Sequence, residues 1–235
     1  MGPVQLNEIK AVPYERSEVV KGYTDRSLHI DLTGNDIRVD PIDAAVKDRF
    51  TGGKGYDLWF MWQAVKGTTK WNDPENALCI SAGPLGGTPG YPGGGKSIVT
   101  TISPLTGAPI DSNVGGYFGP YKKFSGFDVI TLTGKADQDV VILIDGIESQ
   151  IKIFSASDLP DNAYELSDAL TRYFDEKKPV NISVVTAGPG AENTYFGCLN
   201  FSWYDAGRKR VRYKQAGRGG TGTVLADKKV KAVVA

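Results

Sequence analysis

A chain of 235 residues in which 27 Lys and Arg balance 27 Asp and Glu has a formal net charge of zero, so nothing in it draws nucleic acid or an anionic membrane by global attraction. Its two cysteines, Cys79 and Cys198, lie far apart without CxxC spacing, and His29 is the single histidine; this pattern points to two reduced, buried thiols and leaves no disulfide framework, cysteine metal site or histidine triad available. With no apolar leader and no apolar run of the ~18 residues that a membrane span needs, the composition reads as a soluble, cytoplasmic chain able to bury a sizeable core.

Residues 1–21, with Pro3, Pro13 and scattered charges, show no periodicity and are expected to form an N-terminal arm, the domain proper running over 22–235. SLHIDLT (27–33) alternates as a strand, GND turns the chain, and IRVDPI (37–42) returns. DAAVKDRF and GYDLWFMWQAVK read as two helical pieces broken at Gly52 and Gly53, with Leu58, Trp59, Met61 and Trp62 on an apolar face. Strands are expected at 77–83, 97–103, 127–134, 140–145 and 149–155, the last two joined through Asp145 and Gly146. An amphipathic helix over 159–178 is capped at Asp161, and 181–188, 198–204 and 210–216 add further strands. The sum is an α+β domain dominated by sheet. Trp59, Trp62, Trp71 and Trp203 are read as core residues.

Four glycine clusters punctuate this pattern: FTGGKG (50–55), YPGGGKS (91–97), DSNVGGYFG (111–119) and QAGRGGTG (215–222). Glycine lets backbone approach a bulky ligand, and successive free N–H groups attract anions, so the clusters suggest a phosphorylated ligand. Familiar motifs fit poorly. GGKGYD and GRGGTG lack the strand, long helix and distant acid of a dinucleotide fingerprint, and GYPGGGKS matches a P-loop by letter while Ser97 opens a strand where a helix is required. An internal echo links GGYFGPYKKFSGFDVITL (115–132) with GGTGTVLADKKVKAVVA (219–235). Each runs from a glycine pair through a short helix and a lysine pair into a β-rich run, which suggests a duplication and a ligand with two similar anionic ends.

TGGKG (51–55), AGPLGGTPGYPGGGKSIVTTISPLTG (82–107), NVGGYFGPYKKFSGFDVITLTGKA (113–136) and AGRGGTGTVLADKKVKAVV (216–234), in this order, resemble the N-terminal domain of the aldehyde:ferredoxin oxidoreductase family of tungsten enzymes. The resemblance implies a base of two antiparallel β-sheets with short helices, carrying a tungsten bis-pyranopterin whose two phosphates share a magnesium ion. Carried over position by position, it places Lys96 and Arg218 at the phosphates and Asn113 and Gly115, with Gly116, at one pterin. It gives main-chain carbonyls of Asn113 and Gly219 to magnesium, brings the backbone of Ala216, Gly217 and Gly220 close to the cofactor, and sets Gly52, Gly53 and Gly55 near the dithiolene end. Many members carry arginine where Lys96 stands, and lysine keeps the charge without the two-pronged grip; read without the family, Lys96 is a solvated strand-end lysine.

The family also holds a [4Fe–4S] cluster on four cysteines in later domains, which two cysteines cannot supply. The chain is therefore expected to be the first part of a longer protein, or a piece that pairs with another subunit, working with ferredoxin or an iron–sulfur electron-transfer subunit, and oligomeric. Two reactions follow from the resemblance: oxidation of an aldehyde to a carboxylate, or reduction of an aromatic acyl-CoA ring as in the catalytic subunit of class II benzoyl-CoA reductase, a divergent anaerobic branch towards which Lys96, the N-terminal arm and the aromatic DLWFMWQ segment lean. A non-catalytic carrier of the pterin cofactor is the alternative, and a plain sugar-phosphate or nucleotide binder a third reading.

Overall fold

The computed structural model describes residues 4–90 and 93–235; Tyr91 and Pro92 of the second glycine cluster and the first three residues of the expected arm lie outside them. The described chain is α+β and dominated by two sheets. The first, of six strands, has the order β3-β2-β7-β4-β5-β6 and is built from β2 (Arg26–Asp31), β3 (Asp36–Pro41), β4 (Leu78–Ser81), β5 (Ser97–Ile102), β6 (Pro109–Val114) and β7 (Val129–Thr133). The second, of seven, has the order β1-β9-β8-β13-β10-β11-β12 and is built from β1 (Asn7–Pro13), β8 (Val140–Asp145), β9 (Gln150–Ser155), β10 (Val184–Ala187), β11 (Leu199–Asp205), β12 (Arg210–Ala216) and β13 (Val230–Val234). Pairing is antiparallel except for β2 with β7 and β8 with β13. The expectation of wholly antiparallel sheets is corrected by one parallel pair in each.

That shared irregularity exposes the duplication. Each half begins with an antiparallel hairpin whose first strand pairs in parallel with the last strand of the same half. The intervening strands add outward one at a time: β4, β5 and β6 in the first half, β10, β11 and β12 in the second. A short helix precedes each closing strand, α3 (Phe118–Phe124) before β7 and α5 (Thr221–Asp227) before β13. Helices α1 (Ala44–Phe50) and α2 (Lys54–Ala64) fill in the first half the place that α4 (Ala163–Asp175) takes in the second.

Burial follows the same plan. One continuous core joins the inner faces of both sheets, with Leu28, Ile80, Val99 and Ile130 from the first, Ile142, Val185, Leu199 and Phe201 from the second, and Phe118, Val224 and Leu225 from α3 and α5. The outer face of the second sheet packs Val141, Leu143 and Val184 against Leu166 and Leu170 of α4. Fully burying side chains of this kind contributes about 1.5–3 kcal/mol each. On the first sheet, Val129 meets Tyr56 and Val46, while Cys79 meets Met61.

Several local expectations change. Regular structure starts at Asn7, where the proline-containing segment pairs antiparallel with β9; an edge strand tolerates Pro13, because one side of it needs no ladder partner. Residues 109–114, missed as a strand, form β6, whose Pro109 likewise sits at the start of an edge strand. The cap of α4 is Asn162, whose side chain accepts from Tyr164 and Glu165 N–H at 2.9 and 3.3 Å, while Asp161 pairs with Lys231 instead. Helix α2 is apolar nearly all round, so periodicity could not choose its inner face: Tyr56, Asp57 and Met61 are buried, whereas Leu58 is exposed and Trp62 is 76% exposed. Cys198 is only half-buried, and both thiols are free. Among the described residues no helix is long and apolar enough to cross a membrane.

Candidate functional site

The two outermost strands of the halves, β6 and β12, approach each other, and the glycine clusters gather around that meeting. On the first side, Asp43 caps α1 by accepting from Ala45 N–H at 2.7 Å. The chain then breaks at Gly52 and Gly53, and Gly53 (φ 56°, ψ −132°) holds a conformation in which a side chain would be strained. The break lies against Gly83 and Ile98. Lys54, the first residue of α2, reaches β6 and pairs with Asp111 at 2.6 Å, and Asn113, exposed further along β6, donates through Nδ2 to Asp111 at 3.4 Å. Gly95 lies directly against Gly116, where a Cβ would collide with the Gly116 carbonyl oxygen; this close approach fixes the second cluster to the third and places the exposed Lys96 beside them.

The second half completes the arrangement. Lys214 of β12 lies beside Gly115, and the Trp203 ring of β11 beside Gly116. After β12 the chain crosses back, and Arg218 N–H donates to Ser112 of β6 at 3.1 Å. Gly219 sits against Ile110 closely enough that a Cβ would strike its side chain. The structure thus brings Gly52, Gly53, Lys96, Asn113, Gly115, Gly116, Arg218 and Gly219 into one neighbourhood. Three candidates use their small size for packing instead: Gly55 admits Phe50, Gly220 admits the Tyr195 carbonyl and Pro104, and Ala216 is buried in the common core. Gly217 is exposed with open space around it. Lys54 and Lys214 were not singled out in the sequence, and Trp203, expected in the core, is half-buried beside Gly116; the alternation of β12 marks Lys214 as outward-facing, but only the approach of the two halves puts it beside Gly115.

The electrostatics of this face favour an anion. Among the described residues no carboxylate lies within ion-pair distance of Lys96, Arg218 or Lys214. The N–H groups of Gly115, Gly116, Gly217, Gly219 and Gly220 also find no hydrogen-bond acceptor there. Polar hydrogens of this kind are normally satisfied, and unsatisfied amides next to glycine, flanked by free cations, are the donor set of a phosphate cradle. The residues present therefore fit a ligand with phosphate ends. No group of three or more His, Cys, Asp or Glu that could hold a metal ion occurs among the described residues, so the donor set fits main-chain and cationic contacts and not an iron–sulfur cluster.

The other motif readings are resolved by context. Ser97 opens β5, so GYPGGGKS lacks the helix of a P-loop. His29 is a strand residue whose Nε2 lies 3.0 Å from Ser27 Oγ, and burial pulls its pKa down. Deeper in the first half, Asp57 is wholly buried; desolvation pushes it up to about 7, against hydroxyls of Ser81 and Thr100 that favour the carboxylate, Thr100 donating at 3.0 Å. Lys122 is pulled down to about 7 by the same loss of water, and its ammonium donates to the carbonyls of Phe127 at 3.0 Å and Asp128 at 2.6 Å.

The family described as aldehyde ferredoxin oxidoreductase, N-terminal domain, matches residues 27–235. The tungsten-containing aldehyde ferredoxin oxidoreductase of Pyrococcus furiosus is 34% identical over 208 residues, covering 88% of this chain and 32% of that protein. From the same organism, an aliphatic sulfonate oxidoreductase, WOR-like subunit, is 28% identical over 227 residues, or 91% of this chain and 34% of that protein. Among solved structures, the active-site complex BamBC of benzoyl coenzyme A reductase with 1,5-dienoyl-CoA superimposes with a TM-score of 0.79 at 29% identity, over 91% of this chain and 30% of that one. The chain spans about a third of the length of the relatives it matches. By the match over residues 27–235 and the shared fold, the chain belongs to the aldehyde ferredoxin oxidoreductase family of oxidoreductases, as its N-terminal domain.

Proposed function

We propose that this domain holds a tungsten bis-pyranopterin by the phosphate ends of its two pterin arms, as the cofactor-binding portion of a low-potential oxidoreductase. The observation that carries this reading is the meeting of equivalent edges, β6 and β12, with free cations and unsatisfied glycine amides on both sides of the junction. A duplicated scaffold offers two similar cradles to a ligand with two similar ends. Lys96 and Arg218 supply the positive charge, and Arg218 also brings the planar fork that suits phosphate. Gly115, Gly116, Gly217, Gly219 and Gly220 would supply amide donors, with the Ala216 backbone alongside, while the carbonyls of Asn113 and Gly219 would be ligands for magnesium. The Gly52–Gly53 break and Gly55 would lie near the metal end of the cofactor.

When bound, such a cofactor supplies two-electron redox chemistry at low potential. What the chain would contribute is position and charge: its residues at the meeting of β6 and β12 would hold the cofactor and neutralise its phosphates. The tungsten-containing relatives favour aldehyde oxidation coupled to ferredoxin, and the benzoyl coenzyme A reductase neighbour favours reduction of an aromatic acyl-CoA ring. In either reaction, the acid–base groups, a [4Fe–4S] cluster and the contact with an electron-transfer partner are assigned to segments beyond this chain.

The test is Arg218→Ala in the full-length protein, with tungsten per chain measured by mass spectrometry and pterin by fluorescence after oxidation. Loss of a hydrogen-bonded charge, about 1.5–3 kcal/mol, corresponds to a fall of roughly ten- to hundredfold in affinity, and Lys96→Arg retains or improves loading. Wild-type metal content in Arg218→Ala overturns the assignment. A carrier would release its pterin to an apo-enzyme acceptor; retention through repeated turnover separates an oxidoreductase from it.

A further inference from the structure

Five buried side-chain oxygens lack a hydrogen-bond partner among the described residues: Thr24 Oγ1, Tyr56 OH, Asp57 Oδ1, Ser81 Oγ and Asp128 Oδ1. They are scattered in sequence and gathered in the fold. Tyr56 and Asp57 lie on α2, which packs on β4 and β7. Ser81 ends β4 and pairs with Val129, the neighbour of Asp128. Thr24 N–H donates to the other Asp128 oxygen at 3.0 Å, and the Asp128 charge reaches Tyr56. Ser81 faces Asp57 closely enough to favour its carboxylate, yet Ser81 Oγ and Asp57 Oδ1 do not meet in hydrogen-bonding geometry.

Buried polar atoms without a protein partner are most commonly met by ordered water. Charge decides what meets them here. The carboxylates of Asp57 and Asp128 are opposed by the ammonium groups of Lys122 and Lys123, and Asp111, the next carboxylate that Asp57 faces, is paired with Lys54. The two buried carboxylates are thus matched by two ammonium groups. The open atoms are two acceptors and three hydroxyls that both donate and accept, a mixture that water satisfies and a metal does not.

We propose that ordered water lies beneath α2, one molecule bridging Asp57 Oδ1 and Ser81 Oγ and a second serving Asp128 Oδ1 with Tyr56 and Thr24. The position gives the water a consequence for the face already described. Asp57 N–H donates to the Gly53 carbonyl at 3.1 Å, so the hydrated carboxylate stands one helical turn behind the glycine break. Lys123 closes the same region by donating to the carbonyls of Gly22 at 2.7 Å and Gly83 at 2.6 Å. The bridging water braces that flank from within and keeps a carboxylate able to exchange a proton near neutrality behind it.

A high-resolution crystal structure of the full chain is the direct test, with water relaxation dispersion counting long-lived buried waters in wild type and in Asp57→Leu. Density about 2.8 Å from both Asp57 Oδ1 and Ser81 Oγ, and the loss of at least one long-lived water in the variant, are expected. A direct Ser81–Asp57 hydrogen bond with no density between α2 and β4 overturns the proposal, as does an anomalous signal showing a metal ion. The wild-type map decides the matter if the variant does not fold.

Discussion

The two halves share one topology and solve the same packing problem with different chemistry. Beneath α4 the second half is apolar: Leu166 and Leu170 meet Val141, Leu143 and Val184, and the buried Ser167 and Thr171 donate back to carbonyls of their own helix at 2.8 and 2.7 Å. Beneath α2 the first half buries Asp57, Ser81 and Thr100, with Lys122 close behind. Apolar contact is non-directional and tolerates small shifts, whereas a buried polar cluster holds one geometry or leaves groups unsatisfied. The polar half is also the half whose outer helix begins at the glycine break beside the candidate site. The comparison teaches that duplication supplied the frame, and that local specialisation fell on the half where a helix start must be held in place.

The largest expected effect comes from Lys122→Ala, which leaves two buried carbonyls and Asp128 without their cation. A loss of about 3–5 kcal/mol in urea unfolding follows, and a loss below about 1 kcal/mol would show that this polar centre is not structural. Leu170→Ala in the apolar half should cost about 2–5 kcal/mol through a cavity that α4 cannot fully close, checked by the same titration. Gly95→Ala is expected to destabilise by about 1–3 kcal/mol, because the added Cβ meets backbone at Gly116 and not the end of a flexible side chain. Gly217→Ala, with open space around it, should stay within about 0.5 kcal/mol.

The pH dependence sharpens the same contrast. Asp57 is raised from 3.8 to about 7, so its stabilising contribution is complete below pH 3.8 and is lost as pH rises through about 7. Lys122 is lowered from 10.5 to about 7, so its contribution is present above pH 10.5 and is lost as pH falls through about 7. Stability should therefore dip near neutrality, and Asp57→Asn should remove the acid limb of the dip while leaving the alkaline one. Urea midpoints across a pH series measure both limbs; an unchanged acid limb in Asp57→Asn would assign it to another group.

Much of this was legible in the residues. Alternation located most strands, the Gly52–Gly53 break separated α1 from α2, and the echo of glycine pair, short helix and lysine pair announced two related halves. Glycine clusters beside Lys96 and Arg218 raised the expectation of an anion-binding face, because glycine and cationic residue types can be read locally. The inner face of α2 was not legible, since its apolar residues lie on several sides and Asp57 is buried by what packs on it. Nor could the sequence show that Asn162 caps α4, because Asp161 is drawn to Lys231 from another strand. Strands β1 and β6 begin or end in proline, and only their edge positions make that tolerable.

The sequence by itself determined most element types and the repeated motif, since each depends on neighbours a few positions away. Tertiary structure alone decided that β6 and β12 meet, that Arg218 N–H reaches Ser112, and that five polar atoms converge beneath α2. Those outcomes join residues as many as 106 positions apart, and they are set by how two twisted sheets close on a common core, which no local pattern encodes.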